Sequence, residues 1–461
     1  MMIDAPAPMP DSRAEALRGL CAGRVFLAGD PGYEAACTPW NVALTQRPAA
    51  VAVPTSVEEV VELVRAAVGA GLRIVPQSTG HGAGALAGRF EGAVLLRLSD
   101  LTGVTVDGGR RVARIVGATV WGEVSAAAAA HGLAVMHGSS PDVAAAGYCL
   151  GGGLSWYGRR HGLACNRLVA VDIVLADGTL VRADADHHPD LFWALRGGGG
   201  SFGVVTAVEI GLLPYADAYA GMLGWDGSRA AEVCRAWAEW THGLAEDATT
   251  SLRLLSIPPL PELPPFIRGR QLVAIDGAVL ADDEDAVRLL EPLRALGPEI
   301  DTFARVPAPA LGRIHLDPEG PTPAVSGHLV LDDFDAAAVD AYVGAAGADS
   351  GTTLLSAEIR HLGGALGRPA RGGGALDRLP GEYAAYFVAV AATPELGAQG
   401  RRDAARAAEA LRPWSSGHRV LNFTDEAVDA ASAFPPGTLG RLRAVRDRVD
   451  PSGAFVANHA L

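Results

Sequence analysis

The chain has no lysine; all 38 of its basic residues are arginine. A pyridoxal Schiff base needs a lysine amine and a nucleotide P-loop needs lysine beside its Ser or Thr, so neither can be built. The five cysteines, Cys21, Cys37, Cys149, Cys165 and Cys234, share no C-x-x-C spacing, and no histidine pair is placed for zinc. Neither a disulfide framework nor a metal site is expected. No apolar run reaches the roughly 18 residues of a membrane span. The net charge of -14 argues against nucleic acid or an anionic membrane as partner, since both demand clustered cations. The opening MMIDAPAPMPDSRAEAL has prolines and acids where a secretory signal needs a basic and then an apolar block, so the expected location is the cytoplasm. About the first ten residues are expected to be disordered.

Against these absences stand 461 residues, 49% of them hydrophobic, enough for two or three domains around a large core. The most informative stretch is 147–209, where two glycine runs are joined by an apolar strand. Gly151, Gly152 and Gly153 let backbone approach a ligand where a Cβ would intrude. Val169, Val171, Ile173 and Leu175 then alternate as one strand face, and Asp177-Gly178 is a hairpin turn. Residues 190–196 form a short amphipathic helix ahead of Gly197–Gly203 and a β-branched strand, 204–210. Gly198, Gly200 and Gly203 fit G-x-G-x-x-G, but the dinucleotide loop follows a strand and precedes a helix, and here the order is reversed.

Earlier in the chain, residues 12–21 suggest a helix and 50–53 a strand. Ser56 caps a helix with a stripe of Val57, Val60, Val61, Leu63, Val64 and Val68, and a strand follows at 72–75. Directly off that strand runs a glycine-rich loop, Gln77-Ser78-Thr79-Gly80-His81-Gly82-Ala83-Gly84. By itself His81 reads as a turn residue. Strands at 93–98, 104–107 and 112–116 and a helix at 121–130 lead to His137-Gly-Ser-Ser140-Pro141.

In their order and spacing these motifs resemble the FAD-linked oxidases of the vanillyl-alcohol oxidase superfamily, berberine-bridge-enzyme-like branch. The resemblance spans nearly the whole chain, strongest over 30–214 and at the C-terminus. It implies an α+β fold: a two-lobed FAD-binding domain at 1–214, an antiparallel-sheet substrate domain at 215–410, and a return to the FAD domain at 411–461. It implies FAD contacts at Gln77, Ser78, Thr79, Gly80, His81, Gly82, Ser140, Gly147, Gly151, Gly152, Gly153, Val205, Asn422 and Asn458. His81 occupies the place of a histidine bonded to the flavin 8α-methyl, although Thr79 replaces a glycine of the usual Gly-Gly-His. Many relatives bond a cysteine before Pro141 to flavin C6; Ser140 stands there, so one covalent link is expected. Cys149 lies nine residues later and reads as a small core residue.

Beyond Pro214, a strand at 272–279, a helix at 282–296 and a Pro-rich loop at 257–265 belong to the substrate lobe. In the strand within 354–365, Glu358 and Arg360 share one face. Taken alone it reads as an edge strand with solvated charges; the resemblance instead places Glu358 over the flavin as proton acceptor, with Tyr386 as the alternative. Tyr383, Tyr386 and Phe387 wall that pocket or pack in the core. Residues 420–423 read as a short strand, 439–448 as a helix, and Asp450-Pro451 through Phe455 resemble the family's terminus. The implied activity is hydride removal from an alcohol, sugar or natural-product carbon, with molecular oxygen as acceptor. A flavin-dependent cyclase or oxygenase and a non-catalytic flavin-binding protein are the alternatives. Sequence periodicity leaves monomer and homodimer equally open.

Overall fold

The computed structural model describes residues 11–261, 265 and 267–461. The N-terminal residues expected to be disordered lie outside that set, as do residues 262–264 of the Pro-rich loop. Three sheets organise what is described. In the first, Val25–Leu27 pairs antiparallel with Ala50–Ala52, while Ala93–Arg97 runs parallel to both Ala50–Ala52 and Arg73–Gln77. Parallel neighbours need a crossover. The helix Val57–Gly69 carries the chain from Ala50–Ala52 to Arg73–Gln77, on the far side of Ala93–Arg97: Ser56 Oγ accepts from the Glu59 N–H, Glu58 and Glu59 sit in the first turn, and Val60, Leu63, Val64 and Ala67 are buried.

The second sheet is antiparallel, in the order Thr102–Asp107, Val112–Gly117, Val204–Gly211, Leu168–Val174, Leu180–Asp184. The Asp177-Gly178 turn joins the last two, with Asp177 Oδ1 accepting from the Thr179 N–H. Val171 and Ile173 are fully buried, but Val169 does not share their face. A bulge between Leu168 and Ala170 leaves it unpaired and 37% exposed.

The third sheet has eight antiparallel strands, including the row Gln271–Val279, Ala248–Ser256, Ser356–His361, Tyr383–Val390, Ala324–Leu331. Alternation gives it two unlike faces. Leu252, Val273, Ile275, Ala357, Ile359, Tyr383 and Phe387 pack under the helices Ala230–Thr241, Asp283–Arg294, Ala336–Ala346 and Pro394–Leu411. The other face turns toward the first two sheets and carries the polar residues. Ser356–His361 is therefore an interior strand, not an edge.

Two further local expectations fail. Residues 12–21 form no continuous helix but the 3₁₀ turns Ala14–Leu17 and Cys21–Gly23, separated by Gly19 at φ +92°. Residues 420–423 hold the 3₁₀ turn Leu421–Phe423, not a strand, because this segment docks on a glycine loop through Asn422 instead of pairing with a strand. The chain end packs against the earlier sheets. The helix Pro436–Val449 buries Leu442 and Val445 against the second sheet's core, and Ile74 exchanges backbone hydrogen bonds with Ala454 and Val456. Asp450 accepts from the Ala454 and Phe455 N–H groups, holding that ending in shape.

Candidate active site

The loop after Arg73–Gln77 is shaped by its neighbours. Arg97 donates to Gln77 Oε1 at 2.8 Å, which leaves Gln77 Nε2 buried and without a partner. Gly80 takes φ +87°, and a Cβ there would lie 2.8 Å from Pro39 Cβ, so only glycine fits. Asn458 Nδ2 donates to Gly82 O at 2.6 Å, tying the C-terminus to the loop. The backbone N–H groups of Thr79, Gly80, His81 and Gly82 meet no protein acceptor among the described residues. Consecutive free amides of this kind form an anion-binding concavity. Ser78 opens the same loop, half-buried.

His81 is half-buried against Trp40, ring centroids 4.1 Å apart and planes 20° from parallel. Its Nδ1 lies 2.8 Å from Thr79 Oγ1, while its Nε2 is buried without a hydrogen-bond partner.

The second loop follows the helix Ala145–Leu150. Gly147 is exposed with open space beside it. The run Gly151–Gly153 is crowded by protein: a Cβ on Gly151 would strike the Asn422 side chain, and one on Gly153, at φ +82°, the Tyr148 ring. Asn422 Oδ1 accepts from the Gly153 N–H at 3.1 Å and Asn422 Nδ2 donates to Tyr148 O. The close approach that these glycines permit is thus made by Asn422, Leu376 and Tyr148. Val205 is buried inside its strand. Ser140 is half-buried beside Ser139, whose hydroxyl donates to Asp317 at 2.9 Å. Cys149 is fully buried and burial pushes its thiol well up, so it is an inert core residue.

Facing these loops, the third sheet presents a transverse row, Arg253, Glu358, Tyr386 and His328, set side by side by strand register. Arg360 Nε donates to Glu358 Oε1 at 2.7 Å, both nearly inaccessible. His315 reaches in from a loop, with Nε2 3.5 Å from Glu358 and Nδ1 3.0 Å from Asp276, which also pairs with Arg253 and accepts from Ser251. Arg360 lies 5.4 Å over the rings of both Trp156 and Phe423. Tyr383 and Phe387 belong to the core on the opposite face; only Tyr386 joins the site.

Burial and Arg253 oppose charge on His315, but Asp276, Asp317 and Glu358 outweigh them and raise its pKa to about 9. Burial likewise opposes charge on Glu358, yet Arg360 and His315 hold it well below the usual carboxylate range. Burial pushes the Tyr386 phenol far up. Asp425 is driven upward by burial, only partly offset by the Ser326 hydroxyl that donates to it at 2.5 Å. Sequence reasoning reached Glu358, Arg360 and Tyr386 but missed His315, Arg253, Asp276, Asp317 and Asp425. Lone charges inside the apolar strands Leu252–Leu255 and Leu272–Val279 were a signal for Arg253 and Asp276; a loop histidine carries none.

The residues fit a flavin dinucleotide: a row of free amides and a half-buried histidine at one loop, opposite a buried polar sheet face. The profile of the FAD binding domain family matches residues 48–184. Along 95% of its length the chain is 28% identical to (R)-6-hydroxynicotine oxidase of Paenarthrobacter nicotinovorans, covering 96% of that protein. Glucooligosaccharide oxidase of Sarocladium strictum is 35% identical over 39% of this chain and 36% of its own. The chain carries an FAD binding domain, and the relatives it resembles are oxidases. The fold of this oxidase agrees with the BBE-like 1 protein of Physcomitrella patens, at a TM-score of 0.83 and 20% identity, over 97% of this chain and 98% of that one. It is an FAD-dependent oxidoreductase of α+β architecture. Among the described residues no cluster is suited to a metal ion and no helix is long and apolar enough to cross a membrane.

Proposed function

We propose that the protein oxidises a small organic substrate at a C–H bond beside a hydroxyl or amine, with molecular oxygen as electron acceptor, in the gap between the His81 loop and the polar face of the third sheet. The observation that carries this is the buried row Arg253, Glu358, Tyr386 with His315, opposite a loop of free amides. FAD, when bound, supplies the hydride acceptor. The relatives named as oxidases of hydroxynicotine and of oligosaccharides support an alcohol, sugar or natural-product substrate over a cyclase or oxygenase outcome.

In this reading residues 1–214 and 411–461 hold FAD and residues 215–410 select the substrate. His81 carries the cofactor covalently as its single link, Ser140 having no thiolate to offer. The amides of 79–82 hold its phosphates in place of a lysine. Glu358 is the proton acceptor and Tyr386 the alternative. Because Arg360 and His315 occupy Glu358, its proton affinity is low, and it accepts only as the substrate displaces one of them. Trp156 and Phe423 close the site against water. The five free, buried cysteines support a cytoplasmic location.

The test is anaerobic mixing of the yellow protein with sugars, alcohols and aromatic amines, followed by peroxide assay in air. Bleaching of the flavin bands with peroxide release is expected from one class. A colourless holoprotein, or bleaching without peroxide, rejects the reading.

A further inference from the structure

Asp142 stands beside His81 with an oxygen to spare. It follows Pro141, and its Oδ2 accepts from the Trp40 indole N–H at 2.6 Å and from the Gly320 N–H at 3.0 Å. Its Oδ1 is buried without a hydrogen-bond partner and faces His81 Nε2, equally unpartnered, at 3.6 Å. Trp40 braces both groups, since its ring stacks on the imidazole while its N–H holds the carboxylate. The Asp142 carboxyl is anionic: burial opposes its charge, but His81, Gly320 and Trp40 outweigh it and hold its pKa at about 2.

A buried anion facing Nε2 keeps the ring proton on that nitrogen and leaves the lone pair on Nδ1, the logic by which a carboxylate orients histidine in hydrolytic triads and metal sites. The Thr79 hydroxyl then donates to Nδ1 and is the neighbour that must swing aside for that nitrogen to react.

Resting on the reading of His81 as the attachment point, we infer that Asp142 is the positioning residue for flavin attachment, fixing the tautomer in which Nδ1 is the nucleophile and stabilising the charge that develops on the ring. In the step, the Nδ1–C8α bond forms and a C8α–H bond breaks. The imidazole proton, the methyl proton and the electron pair pass to the flavin, which is reduced. Molecular oxygen then takes two electrons and two protons, leaving hydrogen peroxide and the oxidised, attached cofactor.

The experiment expresses the full chain and compares wild type, Asp142→Asn and Trp40→Phe. Total FAD is read from absorbance after gel filtration, and covalent FAD from fluorescence after denaturing electrophoresis, both against time after adding FAD to cofactor-depleted protein. Asn keeps an oxygen for Trp40 and Gly320 and removes only the charge. The expected result is unchanged total FAD with attachment slowed about tenfold or more in Asp142→Asn, and about threefold in Trp40→Phe, which loses one hydrogen bond to the carboxylate. Attachment at the wild-type rate in both variants overturns the inference. Parallel loss of total and covalent FAD also overturns it, by marking a purely structural role. Wild-type protein that binds FAD but never attaches it refutes the reading of His81 itself, and this inference falls with it.

Discussion

Arg360 Nε lies 2.7 Å from Glu358 Oε1, two residues apart on one face of an interior strand, so the charge expected to take the substrate proton is already neutralised by its neighbour. Removing one partner of such a buried pair exposes the other uncompensated. Glu358→Gln should keep the flavin and slow its reduction by substrate about 10²-fold or more, the scale for a positioned base. Stopped-flow absorbance on anaerobic enzyme measures it. A loss under about threefold moves the proton-accepting role to Tyr386.

His315 makes stability depend on pH. Burial and the Arg253 guanidinium disfavour its charge, but Asp276, Asp317 and Glu358 outweigh them and raise its folded pKa to about 9, above the ordinary 6.5. A raised cation contributes stability that is fully present below about pH 6.5 and is lost as pH climbs through 9. Thermal unfolding should therefore show a falling Tm between pH 7 and 9.5, and His315→Gln should flatten that part of the curve. An equally steep fall in the variant would assign the dependence to another group.

His81→Ala should leave denatured protein colourless after acid precipitation. In wild type, peptide mapping should find flavin on one fragment, the one containing His81. Cys149 is buried and its thiol is pushed up, so an adduct there contradicts both its burial and the alignment of the loop.

Gly153→Ala tests the crowded second loop. The new Cβ meets the Tyr148 ring and Ala164 at a backbone φ of +82°. Overpacking and left-handed strain together should destabilise the fold by about 2 kcal/mol or more. Urea unfolding reads the stability. A variant as stable as wild type shows that the loop relaxes around the methyl.

Much of this oxidase is determined locally and so is legible in its sequence. The stripe of Val60, Leu63 and Val64 behind Ser56, the Asp177-Gly178 hairpin and the helix–glycine–strand order of 190–210 rest on periods of two and 3.6 residues and on turn chemistry within a few positions. The Gly80-His81 loop is legible for the same reason: a strand end and a position that only glycine fits lie within one short segment. What the tertiary structure decided is which separate segments meet. Whether the Glu358 strand is an edge or an interior strand depends on Ala248–Ser256 and Tyr383–Val390 pairing on its two sides, and Trp156, Phe423 and His315, all distant in the chain, cover Glu358 and Arg360 on its polar face. The bulge that turns Val169 outward depends on register with Val204–Gly211. His315 and Asp142 acquire their chemistry from charges and rings distant in the chain, Asp276 and Glu358 for one, Trp40 and His81 for the other. Desolvation and charge pairing act through space over a few ångströms, and only the folded chain sets those distances.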